Sequence, residues 1–436
     1  MVIRDGPRAS AARCHVSAEA AVITCDPARF RERDRMSTRS EHRVVVIGAG
    51  YAGILAANRV QASLTAAEGR RVRVAMVNPR TDFIERVRLH EVAAGVRTSA
   101  AIPLDDMLHD RIEIVLGTVL RIDAPARVLS VATSGGITSE PYDTLVYAVG
   151  STAALGVPGA DEFAHLLSNA DGAETARLAL ATGPDGQRIV VVGGGATGVE
   201  AAAEFAEQHP TASVTLVSRG AVLAHLPAAS RKSVLRSLNR LGVNVMEGSG
   251  ASRVQADAVE LLDGTLLPSD VTVWTASFAV PDLARRSGLD VDPIGRLLVD
   301  EELRALAYPE IFGAGDAVHP PSSVGSHLRM GCAIAMPLGG HAADNVLAVL
   351  RGGSLTKLDV GFSAQCISIG RKRAIIQLLT KADRPRAIRI TGRAGALVKE
   401  FVCAYLATGS PRRERTRPGS LMLASGPKRM PVDLRN

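Results

Sequence analysis

The sequence predicts an α/β chain with two Rossmann-like dinucleotide-binding domains and a small α+β C-terminal domain. Three observations carry that prediction. Two glycine strings, GAGYAG at 48–53 and GGGATG at 193–198, each follow an apolar β-branched run and open a helical segment. Short alternating strands with Gly-, Ser- and Pro-rich turns lie between them. The 436 residues are enough for two or three domains, and 46% hydrophobic with 22% charged residues is a globular balance.

Taken in order, residues 1–40 show no strong periodicity and read as a disordered extension without a signal peptide, with Met36 as the expected natural start. Strand 44–47, the first glycine string, a helix to about 67 and strand 71–78 follow. Strands at 112–116, 118–123, 127–132 and 144–149 suggest a meander attached to the first domain. The second unit runs through strand 188–192, the second glycine string, a helix to about 208 and strand 213–218. Further strands are expected at 243–247, 253–255 and 258–262, with Asp263-Gly264 as a hairpin turn. The first domain thus occupies 41–152 and 281–350, the second 153–280, and a basic C-terminal domain 358–436, opening on a strand at 361–369.

Composition narrows the function. Aromatics are 3% with one tryptophan, which argues against a carbohydrate surface or a stacking platform for single-stranded nucleic acid. No stretch reaches eighteen uninterrupted apolar residues, which argues against a spanning helix. Cys14, Cys25, Cys332, Cys366 and Cys403 form no CxxC pair, so a disulfide framework and a zinc ribbon are poor fits. The net charge of +7 is uneven: residues 371–436 hold 16 Lys and Arg against 4 Asp and Glu. Such a stretch suits anionic lipid, nucleic acid or an acidic partner, although a solvated tail is the commoner outcome.

A GxGxxG turn bends the backbone tightly and brings it close to a pyrophosphate, while the following helix aims unpaired N–H groups at that anion. Two such strings, each between strand and helix, point to two dinucleotide sites rather than two plain turns. The ends of the second strands bear on cofactor identity. Asn78 replaces an acid there, and its amide oxygen can accept one ribose hydroxyl bond. Ser218-Arg219 likewise lacks an acid, which leans towards the 2′-phosphate of NADPH; the alternative is an Arg219 that faces solvent.

With YDTLVYAVGS at 142–151, GGGATGVE at 193–200, WTAS at 274–277 and IFGAGD at 311–316, the chain resembles the pyridine nucleotide-disulfide oxidoreductase superfamily. The resemblance spans residues 43–350 and is nearest to type II NADH dehydrogenases and related FAD-dependent NAD(P)H oxidoreductases. It implies that Gly48, Gly50 and Gly53 cradle the FAD pyrophosphate, with Gly150 in a turn beside it. Gly315 and Asp316 would meet the ribityl chain. The helix after Gly331, starting at Cys332, would aim its positive end at the flavin. Gly193, Gly195 and Gly198 would hold NADH or NADPH. Glu200 would lie near nicotinamide and flavin as a proton-handling residue, with helix packing as its alternative. His90 falls where the family's first domain approaches the flavin, as a proton aid or as a structural histidine.

Departures from the family limit the acceptor. No cysteine lies between Cys25 and Cys332, which excludes a dithiol relay and weighs against a sulfide oxidase. Cys332 is a reactive thiol or, better, a small buried hydrophobe. Where the type II enzymes show an AQxAxQ-like stretch, this chain reads MGCAIAMP at 330–337 and lacks both glutamines, though an apolar wall can still admit a quinone ring. The apolar segment 396–408, followed by Arg412, Arg413, Arg415 and Arg417, suits a membrane interface, a dimer interface or packing on the core, with packing favoured.

The resulting reading is an FAD-dependent enzyme that takes hydride from NAD(P)H to flavin N5 and passes electrons to a quinone or other small acceptor. It would be cytoplasmic, or peripheral on the cytoplasmic face of the membrane; a homodimer is left open and nucleic acid is disfavoured. The rivals are a redox-responsive flavoprotein similar to apoptosis-inducing factor, whose basic tail binds nucleic acid or a partner protein, and a ferredoxin-type reductase.

Overall fold

Four successive apolar positions make His42–Ile47 a strand that is buried on both faces, as a central parallel strand must be. The computed structural model describes residues 41–421 and 424–428. The expected start at Met36, the extension before it, Cys14 and Cys25 lie outside the described residues. Around His42–Ile47 stand Val72–Asn78 and then Glu113–Leu116 on one side, Thr144–Tyr147 and then Ile311–Gly313 on the other, all parallel.

The second sheet repeats this plan. Arg188–Val192 lies at its centre, flanked by Ser213–Ser218 and Asn244–Glu247 on one side and by Val271–Trp274 and Ala164–Leu166 on the other. In each sheet the glycine string follows the central strand, at the carboxyl edge where such sheets bind ligands. Thr152–Ala153 pairs antiparallel with Phe278–Ala279, so the two chain crossings between the sheets run side by side.

The meanders differ from expectation. Residues 113–116, 144–147 and 244–247 join the parallel sheets; helix-bearing crossovers return the first and third in the direction of the central strands, and the antiparallel ribbon itself returns the second. The antiparallel ribbons are instead Thr118–Asp123, Val128–Thr133 and Gly136–Pro141, and Ala251–Val254, Ala258–Leu261 and Leu266–Pro268. Asp263-Gly264 does form the turn in the second ribbon, with Gly264 at φ +83°.

The first helix, Tyr51–Ser63, stops short of residue 67. Thr65 and Glu68 exchange side-chain to backbone bonds of 2.8 and 3.2 Å, a capping box that starts a separate turn at Glu68–Arg70. Against this helix lies Cys332–Leu350, long and apolar enough to cross a membrane by length and composition, at mean hydropathy 1.3. It is a core helix here. A Cβ on its Gly339 would stand 2.3 Å from the Ala52 carbonyl oxygen, so only a glycine permits the close crossing.

The C-terminal domain is a sheet of Ala364–Ser368, Ala374–Leu379 and Pro385–Thr391, shorter at its start than the strand expected at 361–369. Helix Gly392–Phe401 packs on it and continues through the π-helical Val402–Thr408 into Gly409–Arg413. A buried ion pair fastens this end of the chain to the first helix. Arg59 donates from Nε and Nη2 to the two oxygens of Glu414, both at 2.9 Å, and from Nη1 to Asp344 at 3.0 Å. Glu414 also accepts from the Gly419 and Leu421 amides. Replacing Glu414→Ala strands the Arg59 cation, so unfolding free energy should fall by about 3–5 kcal/mol in a urea titration. The double replacement Arg59→Met, Glu414→Leu should recover most of that loss.

Candidate functional site

The carboxyl edges of both sheets face one cleft of about 1190 Å³, mouth included. The two glycine loops are built alike. Gly48 and Gly193 take φ of +98° and +131°, where a side chain would be strained and would strike Ala148 or Thr275. A Cβ on Gly53 or Gly198 would lie 1.9 or 1.8 Å from the carbonyl oxygen of Gly48 or Gly193, so each glycine seats its helix on its loop. By contrast, Gly50 and Gly195 face open space. They are the N-caps of Tyr51–Ser63 and Ala196–Gln208, and no side chain caps either helix. Both loops therefore present open N–H groups in a cradle that a phosphate fits.

A third helix start meets the cleft. Gly331 caps Cys332–Leu350, again without a side-chain bond. Asp316, held in the turn Gly315–Ala317, accepts from the Gly331 N–H and from Ser151 Oγ, both at 2.7 Å. Arg86 donates to the Ser151 carbonyl at 2.9 Å and completes the set. Gly150, Ser151, Gly315 and Gly331 all line the cleft.

Asn78 and Arg219, like the glycines of the second loop, are not among the residues of the cleft wall. Asn78 Oδ1 accepts from the Ala49 N–H at 3.0 Å and its amide nitrogen donates to Arg80, so the side chain shapes the glycine loop and does not line the cleft. The amide oxygen expected to meet a ribose hydroxyl thus already accepts one bond from the loop backbone, with a second lone pair remaining. Arg219 is exposed beside Gly250 and also lies outside the cleft wall.

Glu200 and His90 do meet, through residues the sequence did not single out. Glu200 Oε1 accepts from Lys399 Nζ at 2.8 Å, the Ser368 N–H at 2.9 Å and Ser368 Oγ at 3.0 Å. Burial opposes the charge, but Lys399 and His90 outweigh it and hold the carboxyl below its usual range; Lys399 is raised in return. His90 Nε2 sits 3.4 Å from Ser368 Oγ and from Arg371. Burial lowers its pKa to about 4, so the ring is neutral near pH 7. Lys399 lies in the cleft wall, on a helix the sequence marked as apolar; a lone lysine within ALVKEF was the available signal. Cys332 lines the cleft too, and burial pushes its thiol up to about 11, which keeps it protonated.

The family description "Pyridine nucleotide-disulphide oxidoreductase" matches residues 42–333. The chain belongs to this family. It is 31% identical over 359 residues to an NADH dehydrogenase-like protein of Mycobacterium tuberculosis, covering 76% of this chain and 87% of that one. A type II NADH:quinone oxidoreductase of Haemophilus influenzae is 24% identical over 389 residues, covering 78% and 87%. Among solved structures, the sulfide:quinone oxidoreductase of Aquifex aeolicus superposes with TM-score 0.72 at 19% identity, covering 87% of this chain and 93% of that one. The NDH2 of Plasmodium falciparum in complex with NADH gives 0.65 at 15%, covering 87% and 97%. The chain is an FAD-dependent oxidoreductase of pyridine nucleotides. Its loops and cleft fit both dinucleotides on their own geometry.

Behind Glu200 this oxidoreductase buries an unbalanced charge network. Arg371 reaches Glu91 at 2.8 Å, Glu204 at 2.7 Å and, through its backbone N–H, Glu207. Arg88 pairs with Glu91 and Glu400, and Arg97 with Glu91. Three guanidiniums thus pair with three carboxylates, and Glu207, held by a backbone N–H, adds a fourth with no ion pair among the described residues. Burial, with the Glu91 and Glu207 charges nearby, raises the Glu204 pKa to about 7 although Arg371 opposes the rise.

The sign follows from linkage. A carboxyl raised from 4.5 to about 7 binds its proton more tightly in the folded state, so its contribution to stability is lost as pH rises through that window. His90 acts oppositely, favouring the folded state as pH rises from about 4 to 6.5. Glu204→Gln fixes the neutral form. The stability of this variant relative to the natural protein should climb by about 1 kcal/mol per pH unit between pH 5 and 7 and be flat below pH 4.5, as read from urea titrations.

Proposed function

We propose that this chain takes hydride from NAD(P)H and passes the electrons to a quinone, with no thiol relay between flavin and acceptor. The observation that carries the reading is the Lys399–Glu200 pair in the wall of the cleft that also holds the Gly331 helix start. Reduction of a quinone by NAD(P)H consumes two electrons and two protons, one from the nucleotide's hydride and one from the medium. Bound FAD supplies the two-electron chemistry.

The chain's own residues divide the remaining work. The Gly50 and Gly195 loops bind pyrophosphates through open N–H groups. Asp316, already oriented by Gly331 and Ser151, accepts a hydroxyl of the cofactor chain. The N–H groups at the start of Cys332–Leu350 stabilise negative charge on the cofactor ring. Lys399 Nζ holds the proton for an acceptor oxygen, and Glu200 keeps that ammonium charged while His90 stays neutral beside the pair. Cys332, Cys366 and Cys403 are all pushed up by burial, so none is a ready thiolate nucleophile. With no acid at Ser218-Arg219, NADPH is accepted alongside NADH.

The acceptor is reached from a membrane surface. Packing was the favoured expectation for residues 396–408, and one face does pack, with Cys403 and Ala407 buried. The other face leaves Leu397 74%, Tyr405 58% and Phe401 54% exposed, with Arg393, Arg412 and Arg413 nearby in sequence. Apolar residues ringed by arginines suit the interface of an anionic bilayer.

Anaerobic stopped-flow absorbance tests the electron path. Bleaching by NADPH or NADH followed by recovery on adding a short-chain quinone is the expected result. Bleaching without recovery would move the acceptor away from quinones. Lys399→Met should slow the recovery about a hundredfold while leaving the bleaching phase far less affected. Flotation with anionic vesicles tests the surface: the natural chain should rise with the vesicles at low salt, and Leu397→Ser with Phe401→Ser should stay behind.

A further inference from the structure

Helix Ala228–Arg240 sets Ser233, Arg236, Ser237 and Arg240 along one face, because positions three and four apart stack on a helix. This face meets Arg373 and Thr391 of the C-terminal sheet around a second cavity of about 520 Å³, mouth included. The cavity shares no wall residue with the cleft. Three guanidiniums and three hydroxyls line it, with no carboxylate.

Bringing three cations together is unfavourable, and arginines at i and i+4 of a helix repel. The chain leaves this repulsion unanswered. Among the described residues, no carboxylate forms an ion pair with Arg236, Arg240 or Arg373, and Arg236 makes one long bond of 3.4 Å to the Lys232 carbonyl. Arg231, on the same helix, is by contrast paired with Glu247. Thr391 adds a hydroxyl that caps nothing, and Ile369 and Ile375 form an apolar floor. A wall of forked guanidinium donors and hydroxyls over an apolar base matches the oxygens of linked phosphates.

We propose that this cavity binds the diphosphate group of a small anion or of a lipid. Arg236, Arg240 and Arg373 supply paired donors, and Ser233 and Thr391 supply single bonds. The site lies at the hairpin that also carries Ser368 and Arg371, the residues that hold Glu200 and Glu204.

Calorimetry on the full flavin-loaded chain tests binding of inorganic pyrophosphate at fixed ionic strength, with arginine dependence separating this cavity from the nucleotide loop. Saturable binding is expected, weakened about tenfold or more by Arg236→Ser with Arg240→Ser and separately by Arg373→Ser, and less by Arg373→Lys. These arginines are exposed, so the variants should fold, which unfolding midpoints will verify. A parallel flotation arm uses vesicles containing diacylglycerol pyrophosphate. Arginine-dependent capture there, with no pyrophosphate binding in solution, assigns the diphosphate to lipid; pyrophosphate binding in solution assigns it to a free anion. Binding that ignores these arginines in both arms, or no binding in either, overturns the proposal.

Discussion

Three helices begin with open N–H groups, at Gly50, Gly195 and Gly331, and no side chain of the protein caps any of them. The helix that Gly195 opens also sends Thr197 and Glu200 into the cleft. Each start carries roughly half a positive charge, and a protein rarely leaves such groups without a partner. The rest of the architecture follows from that convergence. Parallel sheets with a glycine turn after the central strand are the means of aiming two starts, and the long helix after Gly331 brings the third. Asp316 is the chain's own partial answer, since one oxygen takes the Gly331 N–H. The remaining donors are open to the phosphates of dinucleotides, whose binding would stabilise the fold as well as supply the chemistry.

The same convergence explains why the C-terminal domain belongs to the site. A cleft rich in positive helix ends favours a carboxylate such as Glu200, yet a buried carboxylate needs a partner of its own. Lys399 and Ser368 provide it from the C-terminal sheet and helix. Arg371 extends the contact to Glu204 and Glu91, and Arg59 with Glu414 pins the end of the chain to the first helix. These are desolvated, hydrogen-bonded pairs whose loss on one side would leave a bare charge. The appendage is therefore bound by these pairs as well as by apolar side chains such as Phe362, Ile367 and Ile375 that join the two main cores.

What was legible in the sequence were features fixed by short-range geometry. The glycine loops declare themselves because their close contacts lie within a few residues, as between Gly53 and Gly48 or Gly198 and Gly193. The DG turn at Asp263 is visible for the same reason. Strand membership was harder: residues 113–116 and 144–147 look like their meander neighbours, and only the long-range crossover makes them parallel. Asn78 was placed at the right end of the right strand, but its bond to the Ala49 N–H, 29 residues earlier in the chain, could not be read. Lys399, Ser368 and Arg371 stayed hidden because they are 164 to 281 residues from the groups they hold. Their partners, Glu200 and His90, were found from motif position alone.

The acceptor's chemistry is constrained by what surrounds Lys399. A one-electron carrier such as an iron–sulfur protein takes no protons, and it would need a charged, solvated docking face near the cofactor. Here the helix that carries Lys399 inward carries Leu397 and Phe401 outward, and the charges beneath it are buried. Holding an ammonium and a carboxylate together in a buried site is costly, and His90 is kept neutral at their side. That arrangement is useful when the acceptor must be protonated as it is reduced, and an apolar acceptor would approach along the exposed stripe. Both considerations favour a quinone over a ferredoxin, and they do so without the glutamines that the type II enzymes commonly place after the last flavin motif.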